Sequence, residues 1–161
     1  MSGLELLPVG LVHAELLAGM HAVCFAEPWS ARSMAEVLGM PGAEGLIAVD
    51  GDSLTPSREG PGPAGLVLWG RVLDEAEILT IAVLPPWRRQ GLGGRLLTAA
   101  MAAAAAAGAK TMFLEAAADN VAALALYGRH NFEQVGRRKG YYGGIDAVTM
   151  RRDLVQAEID P

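Results

Sequence analysis

Between an apolar run and an alanine-rich stretch the chain carries Arg88-Arg89-Gln90-Gly91-Leu92-Gly93-Gly94, and no other segment limits its folds as much. The run before it, Glu77 to Val83, is apolar and partly β-branched, which predicts a strand closed by Pro85-Pro86. The stretch after it, Arg95 to Ala107, reads as a helix stopped by Gly108. Alanine has high helix propensity, and Leu96, Leu97 and Met101 fall on one face at helical spacing. Glycines let the backbone between strand and helix turn tightly and approach a ligand without a Cβ clash. Unpaired N–H groups at a helix start then make a cradle for an anion. Arg88 and Arg89 add positive charge, and the sequence does not tell which of them faces a phosphate. By itself the segment fits an anion or pyrophosphate cradle and an ordinary glycine turn equally well. It lacks the Gly-Lys-Ser/Thr ending of a Walker A loop. It also follows a fourth strand, whereas a dinucleotide fingerprint usually opens its domain.

The remaining pattern surrounds this unit with strands and helices. Leu4 to Leu7 reads as a first strand ended by Pro8, and Gly45 to Val49 as a second. Leu66 to Val72 pairs with Glu77 to Val83 around a Leu73-Asp74-Glu75 turn. Thr111 to Glu115, Phe132 to Arg137 and Asp146 to Arg151 complete the strands, the last two joined by a segment holding Tyr141-Tyr142-Gly143-Gly144. Helices are predicted over Val12 to Phe25, from the Ser30 cap to Leu38, and after Asp119-Asn120 through Val121, Leu124 and Tyr127. Strands and helices alternate only in part, and the end is strand-rich. The fold class expected is therefore mixed α/β, one sheet with helices on both faces. A chain of 161 residues fits one domain, which would bury roughly 70% of its unfolded surface without disulfide or metal. Residues 1–154 are expected to form it, with 51–65 a Gly/Pro/Ser-rich surface loop and 155–161 a short tail.

Composition narrows the function. Thirteen basic against eighteen acidic residues (Lys+Arg 13, Asp+Glu 18) give a formal net charge of −5, which disfavours broad nucleic-acid binding. Local basic clusters remain at Arg88-Arg89 and Arg137-Arg138-Lys139. There is no apolar stretch of membrane-spanning length and no signal-peptide pattern, so no membrane partner and a cytoplasmic location are expected. Cys24 reads as a small buried hydrophobe. His13, His21 and His130 form no spaced cluster with it, so they read as ordinary structural or surface histidines and no metal is expected.

The ordered set of motifs resembles the GNAT superfamily of acetyltransferases over nearly the whole chain. Arg88 to Gly93 satisfies that family's Arg/Gln-x-x-Gly-x-Gly/Ala cofactor loop, directly after the strand Ile78 to Val83. Glu27-Pro28-Trp29-Ser30, Leu114-Glu115, Asn120-x-x-Ala123-x-x-Leu126-Tyr127, and Tyr141-Tyr142 with Asp146-Ala147 and Met150 resemble the bacterial ribosomal-protein-alanine N-acetyltransferases. The resemblance implies the acyl-CoA N-acyltransferase fold, a central, mostly antiparallel mixed sheet flanked by helices. It implies direct transfer from acetyl-CoA to the N-terminal α-amine of a protein, the expected partner being a small-subunit ribosomal protein that begins with alanine.

The resemblance also assigns roles. The amides of Gln90, Gly91, Leu92, Gly93 and Gly94 would hold the pyrophosphate, with Arg88 and Arg89 beside it. Ile81, Ala82 and Val83 would line and pair with the pantetheine arm, and Asn120 would help hold it or simply cap its helix. Glu115 falls at the family's general base. A carboxylate closing an apolar strand is expected to have a raised pKa where the site is dry. Tyr127 falls at the acid that protonates the leaving thiolate, or is a core tyrosine. Trp29, Glu75, Tyr141 and Asp146 fall near the peptide entrance, where an acidic group would attract an arginine after the acetylated alanine. Trp29 would equally pin its turn to the core. Cys24 is not at a catalytic position, so no acetyl-cysteine intermediate is expected. One departure stands out: the family typically carries an arginine two residues after the glutamate, and this chain has Ala117. Other acceptors, small amines or lysine side chains, keep the same acetyl-CoA site. A CoA-binding module without catalysis would not need both Glu115 and Tyr127.

Overall fold

The computed structural model describes residues 4–51 and 62–154. Most of the 51–65 loop and the 155–161 tail lie outside the described residues. In chain order the elements are β1 (Leu4–Pro8), a 3-10 turn at Leu11–His13, α1 (Ala14–Cys24), α2 (Ala31–Leu38), β2 (Glu44–Asp50), β3 (Gly62–Val72) and β4 (Glu75–Val83). A second 3-10 turn at Pro85–Trp87 leads to α3 (Leu92–Ala106), β5 (Thr111–Ala117), α4 (Val121–Arg129), β6 (Glu133–Tyr142) and β7 (Ile145–Asp153). The seven strands lie in the order β1-β2-β3-β4-β5-β7-β6. The β4–β5 pair is parallel, and β1–β2, β2–β3, β5–β7 and β6–β7 are antiparallel, so the sheet is the mixed, mostly antiparallel one expected.

The chain divides into two compact units, one of residues 1–70 and 79–100, the other of residues 71–78 and 101–161. The core of the first includes Leu17, Met20, Met34, Ile47, Leu66, Leu68, Leu92, Leu96 and Leu97. That of the second includes Met101, Met112, Leu114, Phe132 and Met150. Fully burying a side chain of this size contributes about 1.5–3 kcal/mol, so these positions dominate the stability of each unit.

Several boundaries differ from the sequence reading. Strand β3 starts at Gly62, because pairing with β2 (Val49 opposite Pro63) carries a Gly-Pro-Ala-Gly stretch into the sheet despite its loop-like composition. Helix α3 starts at Leu92, with Arg95 N–H bonded to Gly91 O at 3.1 Å, so Gly93 and Gly94 lie inside its first turn. Strand β5 runs two residues past Glu115 because β7 pairs with it as far as Ala117. Tyr141 and Tyr142 belong to β6, and the turn is only Gly143-Gly144, both at positive φ (57° and 98°). Two central residues at positive φ match the right-handed twist of the strands they join.

Candidate active site

In the first unit, β4 alternates as the pattern requires: Thr80 and Ala82 are buried, while Ile81 and Val83 stay partly exposed on the other face. The glycine loop then folds back on the strand end. Arg88 Nε donates to Val83 O at 2.8 Å, and Cys24 Sγ donates to the same carbonyl at 3.6 Å. Gln90 Nε2 donates to Pro86 O at 3.2 Å. Arg89 and Gly91 both take left-handed backbone, φ +62° and +80°. An arginine in that region is uncommon, and it sits where the loop must reverse into α3. With Gly91 closing the first turn, the amides of Leu92, Gly93 and Gly94 have no carbonyl four residues back inside the helix. The side chains of Arg88, Arg89 and Gln90 are exposed. Exposed cations, unpaired amides and a helix N-terminus are the parts of an anion cradle. Of the two arginines, Arg88 is partly committed to the strand end.

The Glu27–Ser30 turn is pinned rather than free. Trp29 N–H donates to His21 Nδ1 at 3.1 Å, and the half-buried indole stacks on the imidazole at 5.0 Å between centroids. Phe25 stacks on the ring at 4.1 Å. Because Nδ1 accepts, the imidazole proton sits on Nε2 and is donated to Thr80 Oγ1 at 3.0 Å. Burial pulls the His21 pKa down, which favours this neutral form. His21 is thus a structural histidine, one of the two readings expected for it. After the turn, Ser30 Oγ accepts from Ser33 N–H at 3.1 Å and caps α2, as expected.

In the second unit Glu115 occupies the partly exposed face of β5, alternating with buried Leu114 and Ala116. Its carboxylate is held at both oxygens. Arg138 donates from Nε to Oε2 at 2.8 Å and from Nη2 to Oε1, and Thr149 Oγ1 donates to Oε2 at 3.0 Å. The expected raised pKa is therefore corrected. The Arg138 hydrogen bonds outweigh the opposing effect of desolvation, and with help from Thr149 they hold the carboxyl below its usual range. Glu77, on the exposed face of β4, moves the other way: partial desolvation, then the negative charge of Glu115, raise it against the opposing pull of Arg138.

Tyr127 is buried on α4, edge-on to Phe132 at 6.1 Å, and burial pushes its phenol up to about 12. It stays protonated at any physiological pH. Asn120 Oδ1 accepts from Ala123 N–H at 3.2 Å, so the capping role is present. Tyr141 lies beneath the Arg138 guanidinium, 3.7 Å from ring centroid to Cζ, and edge-on to Tyr142. Asp146 accepts from Arg137 Nη1 and from Gly140 N–H, each at 3.0 Å, so it shapes the β6–β7 hairpin and its charge is already paired. That weakens it as an attractor for a peptide arginine. Glu75 opens β4, exposed and opposite Thr111.

Four residues of these clusters were not singled out as site residues from the sequence: Glu77, Arg138, Thr149 and His21. Glu77 carried a signal, the alternation of Glu75 and Glu77 on one strand face. Arg138 and Thr149 carried none, because their role depends on cross-strand register. Among the described residues no group of three His, Cys, Asp or Glu is placed to hold a metal, and no helix is long and apolar enough to cross a membrane.

A loop with a helix-start anion cradle, a carboxylate clamped on a strand and a protonated phenol on the following helix define a class. Residues 15–132 match the Acetyltransferase (GNAT) family, and the chain belongs to it. It is 36% identical over 145 residues to the N-alpha-acetyltransferase RimI of Mycobacterium tuberculosis, covering 87% of this chain and 86% of that one. Over 83 residues it is 42% identical to the ribosomal protein bS18-alanine N-acetyltransferase of Escherichia coli K12, 49% of this chain and 56% of that one. The crystal structure of the Escherichia coli ribosomal-protein-S18-alanine N-acetyltransferase superposes with a TM-score of 0.81 at 28% identity over 94% of each chain.

Proposed function

We propose that this chain transfers the acetyl group of acetyl-CoA directly to the N-terminal α-amine of a protein in the cytoplasm, with an alanine-initiated small-subunit ribosomal protein as acceptor. The observation that carries the reading is that one unit holds both Glu115, its carboxylate clamped on β5 by Arg138 and Thr149, and Tyr127, a buried phenol on α4 that burial keeps protonated at neutral pH. Likeness to N-terminal acetyltransferases over most of the chain supports the acceptor class.

In this reading the amides of Gln90 to Gly94 bind the pyrophosphate of acetyl-CoA, with Arg89 free to add charge. Ile81 and Val83 border the pantetheine arm, the main chain through Ala82 pairs with it, and Asn120 adds a polar contact while capping α4. An ammonium has no lone pair, so the acceptor must lose a proton before it attacks. An α-amine with a pKa of ~7.7–8.0 needs only modest help, far less than a lysine at ~10.4. A carboxylate held low is a weak proton acceptor. Glu115 therefore takes a hydrogen bond from the ammonium through water and passes the proton on to solvent. The neutral nitrogen attacks the thioester carbonyl, the C–S bond breaks, and Tyr127 gives its proton to the departing thiolate. The adduct nitrogen loses its second proton to water, and water returns a proton to the Tyr127 phenolate. Trp29, Glu75 and Tyr141 border the acceptor, and Asp146 acts by shaping the hairpin that carries Tyr141.

Turnover of acetyl-CoA on peptides beginning Ala-Arg, with the product mapped by mass, tests this. The expected outcome is acetylation confined to the N-terminal alanine, with Glu115→Gln and Tyr127→Phe each lowering kcat by roughly a hundredfold or more. Activity on small amines or lysine side chains, with none on these peptides, overturns the acceptor. Cofactor binding without transfer to any of them overturns catalysis.

A further inference from the structure

We propose that Arg138 is the positioning residue of the site: its guanidinium, delivered from β6, orients the Glu115 carboxylate and takes over the place left by Ala117. The inference rests on Glu115 being the proton acceptor, as above.

The sheet register carries it. Ala117 on β5 faces Ala147 on β7, and Ala147 faces Arg138 on β6, so the three form one cross-strand row. In the next row Glu115 faces Thr149, and Thr149 faces Gly136. Arg138 therefore reaches Glu115 diagonally across β7, over ground occupied by the two smallest side chains the row can offer. A long side chain at 117, on the same face of β5 and two residues from Glu115, would compete for that ground. The resemblance implies an arginine there; this chain has a methyl group, and a guanidinium arrives from two strands away. Its contact is a two-point fork on the carboxylate, with Tyr141 against the guanidinium face. A fork fixes direction as well as charge, which a lysine cannot do. The Arg138 side chain remains 52% exposed and that of Glu115 only 20%, so the carboxylate is set into the sheet and the guanidinium closes it from the solvent side.

The test compares Arg138→Met, Arg138→Lys, the relocated pair Ala117→Arg with Arg138→Met, Glu115→Gln, and Glu115→Gln with Arg138→Met. The probes are an Ala-Arg peptide and carbon-13 NMR titration of the Glu115 carboxyl. Arg138→Met is expected to lower kcat about tenfold or more with the KM for acetyl-CoA unchanged, and to move the carboxyl titration upward. Arg138→Lys should recover part of the shift in titration and little of kcat. The relocated pair should recover both. On the Glu115→Gln background, Arg138→Met should cost nothing further. Equal losses on both backgrounds, or an unchanged kcat and titration in Arg138→Met, overturn the proposal. If Glu115→Gln itself keeps full activity, the proton-acceptor reading falls. The titration then still reports whether Arg138 sets the carboxylate.

Discussion

The imidazole of His21 can keep its two hydrogen bonds only while Nδ1 is unprotonated, because protonation turns that nitrogen into a donor facing the Trp29 N–H. Its folded pKa lies below the ordinary 6.5, so the unfolded chain takes up the proton first as pH falls. Stability from this residue is full above about pH 6.5, declines below it, and stops declining once the folded form is protonated too. Glu115 acts in a lower window. Its folded pKa is depressed, so its pairing with Arg138 stabilises at neutral pH and fades as pH drops through the depressed value. Urea melts at a series of pH values should separate the two. His21→Leu is expected to cost about 1–3 kcal/mol at pH 8, because it orphans Trp29 N–H and Thr80 Oγ1, and to abolish the fall near pH 6. It should leave the acidic fall intact.

At the scale of elements, the glycine loop depends on one residue more than on the others. Gly91 has φ +80° with nothing within 4 Å of an added Cβ, so an alanine there meets no neighbour and suffers only backbone strain. That strain is about 1–2 kcal/mol. Gly91→Ala is expected to raise the KM for acetyl-CoA several-fold while leaving the KM for the peptide unchanged, as steady-state kinetics with each substrate varied would show. This loop was legible in the sequence because strand, glycine turn and helix follow one another without a break. The start of α3 was not, since Gly93 and Gly94 look like helix breakers yet lie at a first turn, where backbone approach matters more than propensity. For the same reason β3 hid its first residues: Gly62 and Pro63 join the sheet through their partners on β2. The caps at Ser30 and Asn120, which depend only on residues a turn away, were readable as they stand.

For the whole molecule, local order in the sequence revealed the elements, and hence Glu115 and Tyr127 on theirs. It could not reveal what Glu115 touches. Arg138 and Thr149 lie 23 and 34 residues further along the chain and meet it only through the register of three strands. The charge state of Glu115 followed the same rule: burial alone argues for a raised pKa, and a partner from another strand reverses it. The order of those strands has a further consequence for how the chain is made. Strand β7 leaves the ribosome after β5 and β6, yet it lies between them. Until residues 145–153 have emerged, β5 and β6 each lack the neighbour that joins them. A chain ending at Gly144 is expected to be cut rapidly within residues 111–142 by a low dose of protease that spares the full-length protein. A strand made after both of its neighbours thus acts as a wedge between them, and the surroundings of Glu115 are completed in one late event.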